Sequence, residues 1–287
     1  MSNFFKSCLI CKNTNLFTLQ GYEHAHLVKC SSCKLIFSIA IPSNIELITH
    51  YKFYGVNTVC SKITEMRYNE LLDIFEPYRQ TNNILDVGCG SGFFLELAKK
   101  RGWNVFGIEF SDSLVRICKE KNITMHSGIL QNCTFSNESF DVITSFEVIE
   151  HVNHPDTDVS VIYKLLRKKG VAYVTTPNFN SLSRYLLKSK YNVIEYPEHL
   201  VYFTTKTLNF LFKKNTFKKL SVKTSGFSIT RYFNGKNKKQ IVSNINSDER
   251  LRILTEKQQY KFIKTFINLV LNIFKLGDTL KGYYIKK

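Results

Sequence analysis

The chain has 287 residues, enough for one large domain and a small one, and its 44% apolar content is ordinary for a globular protein. Its net charge of +17 is uneven: from Leu211 to the end 18 Lys and Arg stand against 4 Asp and Glu, which argues against a uniformly basic nucleic-acid binder and points to one anionic contact surface. No apolar run reaches the roughly 20 residues needed to span a bilayer and the start lacks the apolar core of a secretion signal, so a cytoplasmic chain without structural disulfides is expected.

In chain order, the first signal is Cys8-x-x-Cys11, followed after 18 residues by Cys30-x-x-Cys33. Two such pairs predict a Zn2+ site, each pair a knuckle and the four thiolates a tetrahedron. With all four positions filled, the metal is expected to be structural. A module of about 40 residues buries little core, and the metal supplies its folding free energy. Ile41-Pro42 closes this module, taken as 1–41. Cys60, Cys89, Cys118 and Cys133 have no ligand spacing. Residues 42–80 read as a helical linker or lid, with Tyr51-x-x-Tyr54 and then an amphipathic helix over 63–78.

The next stretch, Ile84-Leu85-Asp86-Val87-Gly88-Cys89-Gly90-Ser91-Gly92, organises the remainder. A short apolar run ends in an acid, three glycines alternate, and 93–100 reads as helix: strand, tight turn, helix start. Glycine lets the backbone turn sharply and lets a ligand approach. A second strand, 103–109, ends in Glu109, near the spacing at which such folds set a carboxylate against ribose hydroxyls. Ser111 then caps a helix through 121, 122–126 is a weak third strand, and 139–146 a fourth. A helix over 156–169 breaks at Gly170; 171–176 is strand five. An inserted helix over 179–191, a helix from Thr204 or Thr205 through 214, and strands over 219–224 and 282–287 complete the pattern.

Asp86-x-Gly-x-Gly-x-Gly resembles motif I of the class I S-adenosylmethionine-dependent methyltransferases. Phe140-Asp141-Val142-Ile143, Glu147-Val148-Ile149-Glu150-His151-Val152 and Tyr196-Pro197-Glu198-His199-Leu200-Val201-Tyr202-Phe203 resemble the branch that includes the ubiquinone-type O-methyltransferases. The segment around Tyr51 resembles the one that follows the zinc knuckles in bacterial methyltransferases encoded near surface-sugar genes. The resemblance covers residues 83–287. It implies an α/β fold: a Rossmann-like seven-stranded sheet in the order 3-2-1-4-5-7-6, helices on both faces, and a small zinc-knuckle module in front. It makes 81–287 the catalytic domain, with helical insertions near 179–195 and 248–276. It also implies that Asp86, Gly88, Cys89, Gly90 and Gly92 meet the methionine part of the cofactor and that Glu109 binds its ribose. Phe110, Ser111, Gly128, Ile129 and Phe146 would line the rest of the cleft. Ile129 stands where family members often place an acid, so an adenine contact there is apolar or through backbone.

Methyl transfer from a sulfonium is an in-line displacement in which the protein mainly positions two reactants. A hydroxyl acceptor must also lose a proton, and His suits that task near neutral pH. His151 and His199 fall on loops after strands four and five, at the ligand-binding end of such a sheet. Glu147 is placed to orient the acceptor or hold an imidazole tautomer. The turn Ser145-Phe146-Glu147-Val148 is not the Asn/Asp-Pro-Pro-aromatic turn of exocyclic-amine methylases, and no Pro-Cys dipeptide supplies a cytosine-C5 nucleophile. A small-molecule acceptor is therefore expected, first a sugar or sugar-nucleotide hydroxyl in surface-polysaccharide synthesis. The rivals are an RNA base methyltransferase using the zinc module and basic C-terminal part, and a non-catalytic binding protein that keeps the fold.

Near the C-terminus, Ile263, Phe266, Ile267, Val270, Leu271 and Phe274 recur at steps of three and four, forming one face of a helix over 256–276. Two settings are open for that face: packing on this domain or on a second copy, as a homodimer, or lying at an anionic membrane surface.

Overall fold

The computed structural model describes residues 3–43, 46, 59–228 and 258–287. Tyr51, Tyr54 and the basic stretch 229–257 lie outside them, as do 248–257 of the expected second insertion.

Seven strands form the main sheet. In chain order they are β6 (Asn83–Val87), β7 (Asn104–Glu109), β8 (Thr124–Ser127), β9 (Phe140–Phe146), β10 (Leu166–Pro177), β12 (Lys218–Ser225) and β13 (Thr279–Ile285). The spatial order β12-β13-β10-β9-β6-β7-β8 is the expected 3-2-1-4-5-7-6. β6 pairs in parallel with β7 and β9, and β13 lies antiparallel between β10 and β12. Both faces are buried, so neighbouring residues of one strand belong to different cores. Ile84, Val142 and Tyr173 pack on one face with α1 (Lys62–Phe75) and α2 (Phe93–Lys100). Leu85, Ile143, Ala172 and Val174 pack on the other with α4 (Pro155–Leu165) and α6 (Thr205–Lys214). α3 (Asp112–Glu120) adds Cys118 to the first face.

Local signals place most helix starts. Ser61 caps α1 by accepting from Thr64 N at 3.3 Å, and Thr204 and Thr207 cap α6 reciprocally. Two expectations are corrected. The helix before strand five ends at Leu165, not at residue 169, because Leu166 already pairs with Phe140 and Arg167 turns its guanidinium onto the buried Asp141 carboxylate. The insertion after strand five is helical only over α5 (Leu182–Leu187), capped by Ser181, with a 3₁₀ turn at Lys188–Lys190.

Ahead of the main sheet, β1 (Asn3–Phe4) pairs with β5 (Ala40–Ile41), while β2 (Leu16–Thr18), β3 (Leu27–Cys30) and β4 (Ile36–Ser38) form an antiparallel sheet. Its fourth strand, β11 (Val201–Tyr202), comes from the loop after β10. The N-terminal region is thus joined to the large domain by backbone pairing. α7 (Gln258–Ile273) crosses β12 and leads into β13.

Candidate functional site

The glycine turn holds three positive φ angles, +69° at Gly88, +53° at Gly90 and +74° at Gly92. A Cβ on Gly88 would lie 2.5 Å from Val148 Cγ2, and one on Gly92 2.7 Å from Ile123 Cδ1; one on Gly90 would meet nothing within 4 Å. The turn is therefore clamped from beneath and open at its middle glycine, the shape a closely approaching ligand needs.

Glu109, at the end of β7, ties this turn to the next strand. Its Oε2 accepts from Gly90 N at 3.1 Å, and Oε1 accepts from Phe110 N at 2.9 Å and Ser111 N at 3.0 Å. Three backbone donors fix the carboxylate while lone pairs remain for ribose hydroxyls. Phe110 and Ile129 are 57% and 51% exposed at the ends of β7 and β8, apolar surfaces suited to an adenine face. Gly128 N donates to Glu109 O at 2.9 Å, holding the third turn against the second. These features fit S-adenosylmethionine.

Other expected cofactor residues sit deeper. Asp86 is buried below the turn, its Oδ1 accepting from Thr144 Oγ1 at 2.7 Å. Burial pushes its carboxyl up to about 8, against the opposing pull of that hydrogen bond. Cys89 turns its thiol inward, 4.0 Å from Cys118 Sγ, so it faces a ligand through backbone. Ser111 caps α3 without a side-chain bond to the helix backbone; its hydroxyl lies 2.9 Å from Ser113 Oγ. Phe146 packs edge-on against Phe94 and is tilted against Tyr68, forming a wall between glycine turn and α1.

At the ends of β9 and β10 the two expected histidines meet. His151 Nδ1 lies 2.6 Å from Glu198 O, His199 Nδ1 lies 2.6 Å from Val193 O, and the ring centroids are 4.7 Å apart. Glu147 leaves β9 with φ +52°, a left-handed turn held by its N–H on Thr175 O at 3.1 Å. Beside them lies a residue the sequence reading passed over. Glu150 is 2% exposed, and neither carboxylate oxygen has a hydrogen-bond partner. Burial, and then the Glu147 carboxylate, push its carboxyl well above the usual range. One ligand atom each from Glu150, His151 and His199 come within 4.8 Å of one another, the donor set of a divalent-cation site. The signal was present in the sequence, since Glu150 directly precedes His151.

The N-terminal cysteines gather as their spacing requires. Cys8 Sγ lies 3.5 Å from Cys33 Sγ and Cys11 Sγ 3.5 Å from Cys30 Sγ, with all four within 4.8 Å. A tetrahedron of roughly 2.3 Å metal–sulfur bonds separates its sulfurs by about 3.8 Å. Both knuckles turn alike: Lys12 and Lys34 have φ +61° and +66°, and each donates its N–H to the first cysteine's carbonyl. This region also braces the histidine loop. Ser38 N donates to Leu200 O at 2.8 Å, while Leu200 and Val201 N–H both bond Glu150 O, at 2.8 and 2.9 Å.

A family model described as a methyltransferase domain matches residues 63–222. The chain is 29% identical over 106 residues to a ubiquinone biosynthesis O-methyltransferase of Glaesserella parasuis serovar 5 (strain SH0165), covering 33% of this chain and 45% of the relative. It is 32% identical over 104 residues to the enzyme of that name from Coxiella burnetii (strain Dugway 5J108-111), covering 34% and 44%. The chain thus spans less than half the length of either relative. A crystal structure of a SAM dependent methyltransferase from Archaeoglobus fulgidus aligns with a TM-score of 0.55 at 18% identity, over 84% of this chain and 99% of the other, a likeness of fold.

Proposed function

We propose that this chain, which belongs to the class I S-adenosylmethionine-dependent methyltransferase family, transfers the cofactor's methyl group to a hydroxyl oxygen of a small molecule. The observation that carries this reading is the imidazole pair. Each Nδ1 faces a backbone carbonyl, which can only accept, so in the neutral form each Nδ1 holds the proton and each Nε2 the lone pair.

The acceptor oxygen attacks the methyl carbon in line with the carbon–sulfur bond. That bond breaks, its electrons stay on sulfur, and the sulfonium becomes a neutral thioether. The hydroxyl proton passes to Nε2 of His151 or His199. Glu150 Oε1 lies 3.9 Å from His151 Nε2, beside the imidazole that takes the proton. Glu147 orients the acceptor. Gly90 and Glu109 hold the cofactor so that the methyl group faces this corner. A divalent cation held by Glu150, His151 and His199 would take up the two Nε2 lone pairs and would itself, in place of an imidazole base, lower the pKa of a coordinated hydroxyl.

A sugar or sugar nucleotide is the first acceptor class, in keeping with the zinc knuckles and the segment after them. A phenolic quinone precursor is the second, favoured by the relatives from G. parasuis and C. burnetii. The four N-terminal thiols hold one structural Zn2+, residues 1–41 form its module, 42–80 a helical linker or lid, and 81–287 the catalytic domain. Incubating the protein with S-adenosylmethionine and pools of sugar nucleotides, phenolic quinone precursors and RNA, then searching by mass spectrometry for a methyl gain, tests the reading. Methylation of RNA alone would overturn it.

A further inference from the structure

α7 is amphipathic and meets the domain on its polar side: Asn272 Oδ1 accepts from Thr224 N, and Asn268 Oδ1 accepts from Gly226 N, both at 2.9 Å. Leu271 is the buried apolar residue of this contact, and its carbonyl accepts from Thr224 Oγ1 at 2.9 Å. The wide apolar face points away from the protein. Phe262, Ile263, Phe266, Leu269, Ile273 and Phe274 are 54–83% exposed. Side chains of this size are seldom left in water as one contiguous patch without a partner.

We infer that this face docks on an anionic lipid surface. The charge around it selects that partner. From Leu211 to the end the sequence holds 18 Lys and Arg against 4 Asp and Glu, and Lys257, Lys261, Lys264 and Lys275 lie between Glu256 and Asp278. Two copies meeting face to face would set two strongly basic C-terminal regions against each other. A bilayer with anionic headgroups accepts both halves of the pattern, the rings and aliphatic chains below and the ammonium groups at headgroup level. The helix has 16 residues, about 24 Å, and no helix among the described residues is long and apolar enough to cross a membrane. It therefore lies in the interface.

The C-terminal end of α7 is bonded to the loop leaving β10, where Asn178 Nδ2 donates to Lys275 O and Gly277 O at 3.0 and 2.8 Å and Leu182 N donates to Leu276 O at 2.8 Å. Tyr185 and Leu186 on α5 extend the exposed apolar surface beside it. The same loop runs on to His199, so one loop ties the docked helix to the acceptor edge of the sheet. The docking inference itself does not depend on which hydroxyl is methylated.

Co-sedimentation with phosphatidylcholine vesicles, with and without one third phosphatidylglycerol, tests it. The full chain is expected to pellet with the anionic vesicles at low salt and to be released by added salt. The double variant Phe266→Asp, Ile273→Asp should lower the bound fraction about tenfold or more while S-adenosylhomocysteine binding stays unchanged, which shows the variant folded. A wild-type chain left in the supernatant overturns the inference, as does equal binding to neutral vesicles. So does gel filtration giving a dimer that the double variant converts to monomer without vesicle binding, since the partner is then a second copy. An unbound wild-type monomer likewise overturns it.

Discussion

The imidazoles of His151 and His199 lie 4.7 Å apart, and each is anchored through Nδ1 to a backbone carbonyl at 2.6 Å. Both anchors fix tautomer and ring orientation at the edge where β9 and β10 end. Replacing His151 or His199 by Ala should lower turnover by about 10²–10⁴-fold. S-adenosylhomocysteine affinity, read by calorimetry, should not change. Near-full activity in both single variants would mean that the reaction rests on positioning alone.

Glu109 bridges the glycine turn and the end of β7 through Gly90, Phe110 and Ser111. Glu109→Ala should weaken cofactor binding by about 1.5–3 kcal/mol, the range for a lost charged hydrogen bond. Part of that loss comes from the three N–H groups left without their acceptor. Calorimetry of the variant beside the parent decides the point, and unchanged affinity would remove Glu109 from the cofactor site.

Metal analysis of protein purified under reducing conditions should give about one zinc per chain. Cys30→Ser should lose it. Because β4 pairs with β11 and Ser38 N holds Leu200 O, metal loss should also lower turnover through the His199 loop while cofactor affinity stays near normal. Full activity in a zinc-free variant would separate the module from the site.

Stability should depend on pH through the buried carboxyls, Asp86 and Asp158 among them. Asp86 is pushed up to about 8 and Asp158 to about 6, both from 3.8 and both chiefly by burial. Between 3.8 and these values the folded chain keeps protons that the unfolded chain releases. The two groups therefore contribute stability fully at low pH and lose it as pH rises through about 6 and then about 8. Asp86→Asn should flatten the upper part of this fall, worth a few kcal/mol. Thermal melts of cofactor-free protein at pH 6 and pH 9 measure it: the variant's melting temperature should fall less than the parent's. An equal fall would show that Asp86 is already ionised.

The parts of this protein legible in its sequence are those whose geometry is local. Three alternate glycines dictate a turn with positive φ at each; two Cys-x-x-Cys pairs dictate two knuckles; Thr204 marks a helix start. The strand order was legible through a resemblance carried by whole motifs rather than by periodicity. Tertiary structure alone decided what depends on distant partners. Arg167 leaves the helix pattern because Asp141 is buried beside it. Glu150 stands beside His151 in the sequence, but its burial and the Glu147 carboxylate, which raise its proton affinity and make it part of the site, come only with the fold. Val201-Tyr202 becomes a strand because β4 offers it an open edge. The apolar stripe of α7 reads the same whether it faces a core or solvent; the hydrogen bonds of Asn268 and Asn272 to β12 and the turn after it rotate the helix and turn that stripe outward.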